Sequence, residues 1–68
     1  MTEVTKNRVF DTLKAAYPLD LSIAEVSRLT GVSEPTGAMY IRILDAEGKV
    51  EFTRIVGRSK MFKYKEDT

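Results

Sequence analysis

The 68-residue sequence contains no cysteine and no histidine. Without cysteine, neither a disulfide nor a thiolate metal site can stabilise the chain, and nothing in it requires an oxidising compartment. The lack of both residue types also removes the imidazole general base and the thiol nucleophile that many enzymes use. No phosphate-binding glycine loop and no metal-ligand spacing is present. We therefore expect that the protein is not an enzyme, with no catalytic residues, no metal site and no cofactor.

The sequence also lacks long apolar stretches. It has no run of about 18 apolar residues, so we expect no membrane-spanning helix, and its first ten residues lack the apolar segment of a signal peptide. Apolar residues make up 43% of the chain and charged residues 31%, a composition typical of a folded globular domain. We expect one domain covering residues 1–68, acting in the cytoplasm.

The net charge is only +1, but basic residues are concentrated near the C-terminus. Residues 1–48 contain five Lys or Arg and seven Asp or Glu, whereas residues 49–68 contain six and three. A basic patch on a nearly neutral chain is typical of contact with nucleic acid. A solvated hairpin with lysines on its exposed edge has the same charge pattern, so charge alone leaves both interpretations open.

The first 30 residues contain two stretches with helical spacing. In the first, at about 3–16, Phe10 and Leu13 lie on one apolar stripe, and Pro18 ends the helix. The second, at about 23–30, follows Ser22 and Glu25, which have the spacing of a reciprocal capping box. Its predicted apolar face consists of Ile23, Val26 and Leu29, and Gly31 suits its C-terminal end.

A third helix is predicted at about 34–47. Ser33 suits its N-cap, Pro35 fits its first turn, and Gly48 follows its C-terminal end. Gly37 is unexpected, since glycine inside a helix costs roughly 1 kcal/mol relative to alanine. Either another backbone packs closely against this position, or the domain tolerates a softer start to the helix.

The pattern changes to period two after the third helix. Two strands are predicted, at about 49–55 and 60–65, joined by a turn at Val56-Gly57-Arg58-Ser59. A hairpin alone is marginally stable, so it must pack on the helices, and a short strand near 20–21 can add to it. The alternation leaves Met61 on the outer face. The predicted inner face consists of Val50, Phe52, Phe62 and Tyr64.

Three helices followed by a hairpin predict an α+β winged helix-turn-helix domain. The segment IAEVSRLTGVSEPTGAMYIRILDAEGKV (23–50) resembles winged-helix transcriptional regulators of the arsenic-repressor and multiple-antibiotic-resistance type. Gly31-Val32-Ser33 and Thr36 match the family's turn and helix start, and Gly48-Lys49-Val50 matches the segment leading into its wing. The chain departs from the family pattern at Gly37, Ala38 and Met39, which make the third helix more apolar. Since the chain has neither cysteine nor histidine, a metal-responsive repressor is excluded.

The resemblance implies a small transcriptional regulator that binds double-stranded DNA. Its third helix would lie in the major groove, and its basic wing on the phosphate backbone or in the minor groove. Arg42 can read guanine or bind a phosphate, and the Tyr40 ring can instead complete the core. The candidate DNA-binding residues are Ser33, Pro35, Thr36, Met39, Tyr40 and Arg42 in the third helix, with Arg54, Arg58, Ser59 and Lys60 in the wing.

Two other partners are compatible with the sequence. The apolar residues of the third helix favour a protein–protein interaction module, as in a replication or transcription assembly. A homodimer formed through the first helix, with Val4, Phe10 and Tyr17, would double the DNA footprint of one domain.

Overall fold

A computed structural model describes residues 2–66, which form an α+β fold of three helices and one antiparallel sheet. The strand order in the sheet is β1-β3-β2. This confirms the predicted α+β class and helix positions, and it is compatible with a helix-turn-helix followed by a hairpin. The elements are α1 (Thr2–Ala16), β1 (Leu21–Ser22), α2 (Ile23–Thr30), α3 (Glu34–Ala46), β2 (Val50–Val56) and β3 (Ser59–Tyr64).

Helix α2 and the turn into α3 are held by local caps. The Ser22 hydroxyl oxygen accepts the Glu25 N–H at 3.1 Å, and the Ser22 N–H donates to the Glu25 carboxylate at 2.9 Å. Gly31 ends α2 with φ of 82°, a left-handed conformation that glycine adopts without strain. The Ser33 hydroxyl oxygen then accepts the N–H of Thr36 at the start of α3. The predicted capping box, glycine stop and serine N-cap are thus confirmed.

The core lies between the three helices and one face of the sheet. The prediction that Leu29 belongs to it is wrong, because Leu29 is 61% exposed. Thr30 takes a buried place at the end of α2 instead, with its hydroxyl donating to the Val26 carbonyl at 2.7 Å and accepting the Val32 N–H. The buried cluster consists of Val9, Leu13, Val26, Tyr40, Ile41, Leu44, Val50 and Phe62.

Strand β3 occupies the centre of the sheet. The short strand predicted near 20–21 is present as β1, where Leu21 pairs with Phe62 and Ser22 with Met61. Met61, predicted on the outer face, is nevertheless buried, since it is only 9% exposed. A strand with neighbours on both sides is more covered than the strand of an isolated hairpin, and Ser22 and Arg54 flank Met61.

The β2–β3 hairpin contains an irregularity that the predicted alternation lacks. Phe52 pairs with Phe62, but the next paired residue, Arg54, lies opposite Met61. Thr53 is therefore an extra residue, a β-bulge that reverses the alternation beyond it. The prediction that Phe52 belongs to the core is wrong, because its side chain lies at the edge of the core and is 46% exposed.

No helix in the described residues 2–66 combines the length and the apolar character needed to cross a membrane. The longest, α1, has 15 residues.

Candidate nucleic-acid interface

Helix α3 turns one face to the core and the opposite face to solvent. Gly37, Tyr40, Ile41 and Leu44 form the buried side. The outward side carries three of the predicted contact residues, since Pro35 and Arg42 are exposed and Met39 is 41% exposed. Ser33 is exposed just before the helix and Thr36 is half-buried in its first turn.

Tyr40 lies on the other side of α3 from these residues. It is only 6% exposed and belongs to the buried cluster with Leu44 and Phe62. Tyr40 is predicted either to contact DNA or to complete the core, and its position agrees with the second interpretation.

Gly37 has no close neighbour that would forbid a side chain. A Cβ built there would meet only the Val32 Cγ2 atom, at 3.7 Å, which is an ordinary van der Waals contact. The possibility that another backbone packs closely at this position is therefore wrong. The other explanation, that the domain tolerates a softer start to the helix, remains.

The tip of the hairpin lies beside the first turn of α3. Arg58, Ser59 and Lys60 are all exposed. With residues of α2 and α3 they line a groove of about 550 Å³, which we call the tip groove. Its other lining residues are Ile23, Ala24, Glu34, Pro35 and Ala38. The structure thus brings four predicted contact residues from two separate elements to one groove.

A second groove, of about 270 Å³, lies between α3 and the middle of the same hairpin. We call it the Phe52 groove. Arg42 and Lys60 both line it, together with Asp45, Phe52 and Phe62. Since Lys60 lines both grooves, the three cations Arg42, Arg58 and Lys60 lie around adjoining grooves on one side of the molecule.

Arg54 differs from the other predicted cations because it is bound within the fold. Its Nε donates to Asp20 Oδ2 at 3.0 Å, and the Thr53 hydroxyl donates to the same oxygen at 2.6 Å. The hydrogen bond from Arg54, followed by that from Thr53, lowers the pKa of Asp20 to about 2. The same pairing raises the pKa of Arg54. Arg54 therefore fixes the hairpin to the segment before β1.

The remaining ion pairs lie at the base of the hairpin. Lys6 contacts Glu47 at 2.6 Å and Lys49 contacts it at 3.7 Å. The hydrogen bond from Lys6 is the main cause of the lowered pKa of Glu47. Within residues 2–66, Arg42, Arg58 and Lys60 take part in no ion pair. Two carboxylates face the same grooves, Glu34 in the tip groove and Asp45 in the Phe52 groove.

Sequence reasoning missed the roles of Asp20 and Phe52. Asp20 lies 34 residues from Arg54, and no local pattern connects them. Phe52 fits the alternation of an inward-facing strand, so nothing in the sequence signals its exposure.

No protein-family model matches the chain, and the search of characterised proteins found no relative. The functional assignment therefore depends on the geometry of the two grooves and on the charges around them.

Proposed function

We propose that the protein is a winged-helix DNA-binding protein acting in the cytoplasm, a small transcriptional regulator that binds double-stranded DNA. In this proposal α3 enters the major groove, and the β2–β3 hairpin is the wing on the phosphate backbone or in the minor groove. The resemblance of residues 23–50 to regulators of the arsenic-repressor and multiple-antibiotic-resistance type supports it.

The observation that carries the proposal is the shared location of three cations that form no ion pair with any residue in the described range 2–66. Arg42 lies on α3, while Arg58 and Lys60 lie at the hairpin tip, and the adjoining tip and Phe52 grooves bring them to one side of the molecule. A cation that is not neutralised within the fold is available to a phosphate, and such contacts give salt-dependent binding.

The other candidate residues would add weaker contacts to the DNA or support the hairpin. Ser33 and Thr36 lie at the N-terminal end of α3, where the helix dipole favours a phosphate oxygen. Pro35 and Met39 offer apolar contact to thymine methyl groups. Ser59 lies at the hairpin tip, where its hydroxyl can donate a hydrogen bond to a phosphate of the DNA backbone. Arg54 acts indirectly, by holding the hairpin through Asp20.

A titration with random-sequence duplex DNA at low salt tests the proposal. We expect binding whose affinity falls steeply as salt is raised, with a slope of about −3 in log–log form if all three cations contact phosphates. Absence of binding at the lowest salt concentration would contradict the proposal.

A protein-binding role is the second candidate, favoured by the apolar outer surface of α3. Met39 is 41% exposed and Ile43 38% exposed, and neither side chain reads bases by hydrogen bonding. In a protein complex such residues would be covered, as in the apolar centre of an interface. The duplex titration separates the two candidates, because this role predicts no salt-dependent DNA binding.

We also propose a homodimer through α1, in which Val4 remains part of the interface but Phe10 and Tyr17 do not. Phe10 and Tyr17 pack their rings on Tyr64 and so belong to the fold. The outward face of α1 is lined by Val4, Asn7, Arg8, Asp11, Thr12 and Ala15. Two antiparallel copies crossing at the middle of this face would place Val4 against Ala15 and Arg8 against Asp11. Sedimentation that detects only monomer at high concentration, with and without DNA, would contradict it.

A further inference from the structure

Phe52 is the most exposed of the six aromatic side chains in the chain. It is 46% exposed, whereas Phe62, its neighbour across the hairpin, is 7% exposed. The two rings meet edge to face with centroids 5.8 Å apart, a favourable geometry that holds Phe52 in place. An aromatic ring that is both held and exposed offers a surface for stacking.

The β-bulge at Thr53 separates Phe52 from the residue that follows. Because the bulge reverses the alternation, Arg54 points to the face of Asp20, while Phe52 stays on the side of α3. Ile55 pairs with Lys60 on the Phe52 side, since the register continues from the bulge to the turn. The bulge thus separates the residues that hold the hairpin from those that line the Phe52 groove.

The chemistry of the Phe52 groove is not that of a simple phosphate site. Two cations, Arg42 and Lys60, line it beside the exposed ring, but so does the carboxylate of Asp45. A carboxylate repels a phosphate, whereas it accepts hydrogen bonds from the ring N–H and amino groups of bases. The combination of a ring, two cations and one acceptor matches a nucleotide better than a phosphate alone.

We propose that the Phe52 groove binds one unpaired nucleobase, stacked on the Phe52 ring. The flanking phosphates contact Arg42 and Lys60, and Asp45 accepts from the edge of the base. Stacking on an aromatic ring beside basic side chains is how proteins bind single-stranded nucleic acid. In a paired duplex both faces of each base are covered by its neighbours, so only an unpaired or extruded base can reach Phe52. This inference rests on the proposed function and adds a preference among DNA structures.

Fluorescence anisotropy with two labelled duplexes tests the inference. They share one sequence, but the second carries a single bulged base, and a 2-aminopurine at that position reports stacking. We expect wild-type protein to bind the bulged duplex more tightly than the paired one. Phe52→Leu, which keeps an apolar side chain but removes the ring, should weaken binding to the bulged duplex about tenfold. It should leave binding to the paired duplex within about twofold, and Phe52→Tyr should behave as wild type.

Ile55→Leu is the matched control, because Ile55 is an exposed apolar residue of the same strand. It should change neither affinity. Circular dichroism of each variant checks that the fold is retained, and the Phe52→Tyr result keeps the inference testable if Phe52→Leu does not fold.

The outcomes distinguish this inference from the proposed function. Equal wild-type affinity for the paired and bulged duplexes would overturn the inference and leave the proposed function intact. Binding to the bulged duplex alone, lost in Phe52→Leu, would support the inference and contradict the proposed function. Equal weakening of both complexes by Phe52→Leu, or failure of Phe52→Tyr to bind as wild type does, would also overturn the inference.

Discussion

The ends of α2 and α3 are capped by residues close in sequence, whereas the β2–β3 hairpin is joined to the rest of the fold by contacts between residues far apart. Ser22 and Glu25 cap α2 from three residues' distance, and Ser33 and Thr36 do the same for α3. The strands of the hairpin pair with each other, but its attachment to the rest of the fold includes the Arg54–Asp20 pair across 34 residues and the pairing of β3 with β1.

The two regions also differ in what they bury. Helix α3 contributes Ile41 and Leu44 to the interior, at 0% and 1% exposure, while the hairpin beyond the bulge exposes Ile55 at 62% and Val56 at 49%. Helix α3 therefore supplies stability, whereas the part of the hairpin beyond the bulge presents side chains to solvent. The following predictions test this division, beginning with the largest effect.

Replacing the same residue type in the two regions should give very different losses of stability. Ile41→Ala removes a fully buried side chain, so we expect the free energy of unfolding to fall by about 2–5 kcal/mol. Ile55→Ala removes an exposed one, and we expect a change within about 0.5 kcal/mol. Urea denaturation followed by circular dichroism measures both. Similar losses from the two variants would show that the distal hairpin belongs to the core.

Removing the tip cations should weaken DNA binding without affecting the fold. We expect Arg58→Ala with Lys60→Ala to lower affinity for a paired duplex about tenfold at low salt, and to flatten the salt slope by about 2. Fluorescence anisotropy over a salt series measures both quantities.

The matched control removes two cations from the other end of the hairpin, Lys63 in β3 and Lys65 directly after it. Lys63 and Lys65 lie three and five residues beyond Lys60, roughly 10 to 17 Å away at about 3.3 Å per residue. Their double alanine variant should bind nearly as wild type does. If the tip and base variants weaken binding equally, DNA contact is not concentrated at the tip.

Two glycines of the α2–α3 unit should respond to alanine in opposite ways. Gly37→Ala should raise the free energy of unfolding by about 1 kcal/mol, because alanine favours the helix and its Cβ meets only an ordinary contact. Gly31→Ala should lower it by about 1 kcal/mol, because φ is 82° there. Thermal unfolding of the pair checks the signs, and a destabilised Gly37→Ala would mean that its side chain does not fit beside Val32.

The smallest expected effect concerns the ion pair that holds the hairpin. The pKa of Asp20 is lowered from 3.8 to about 2 in the fold, so the unfolded chain binds a proton first as pH falls. The stability contributed by Asp20 is therefore present above about pH 4 and is lost between about pH 4 and pH 2. Asp20→Asn should be less stable than wild type at neutral pH, with a difference that shrinks over this interval. Denaturation curves at several pH values measure it, and a constant difference would contradict the assigned pairing.

The same contrast explains how much of the molecule the sequence predicts. Caps, glycine stops and the serine N-cap are short-range, so α2, α3 and the turn between them follow from residue spacing alone. The bulge at Thr53, the burial of Met61 and the exposure of Phe52 result from pairing with distant segments. An alternation of apolar residues cannot reveal an extra residue in one strand, because the bulge is visible only against its partner.

The candidate interface likewise contains some features that the sequence predicts and others that only the fold reveals. The outward positions of Pro35, Met39 and Arg42 follow from helical spacing, but the sequence does not distinguish Arg54 from Arg58. Both are cations of one hairpin, and only the fold places Asp20 beside the first of them.

Ser22 has a consequence for binding thermodynamics. It is the last residue of β1, paired with Met61 of the hairpin, and also the N-cap of α2, so β1 continues into α2 without an intervening loop. A ligand that spans the hairpin and α3 therefore meets two surfaces whose spacing is already set. Little conformational entropy is then lost on binding, and the affinity depends on how well the ligand's own shape fits that spacing.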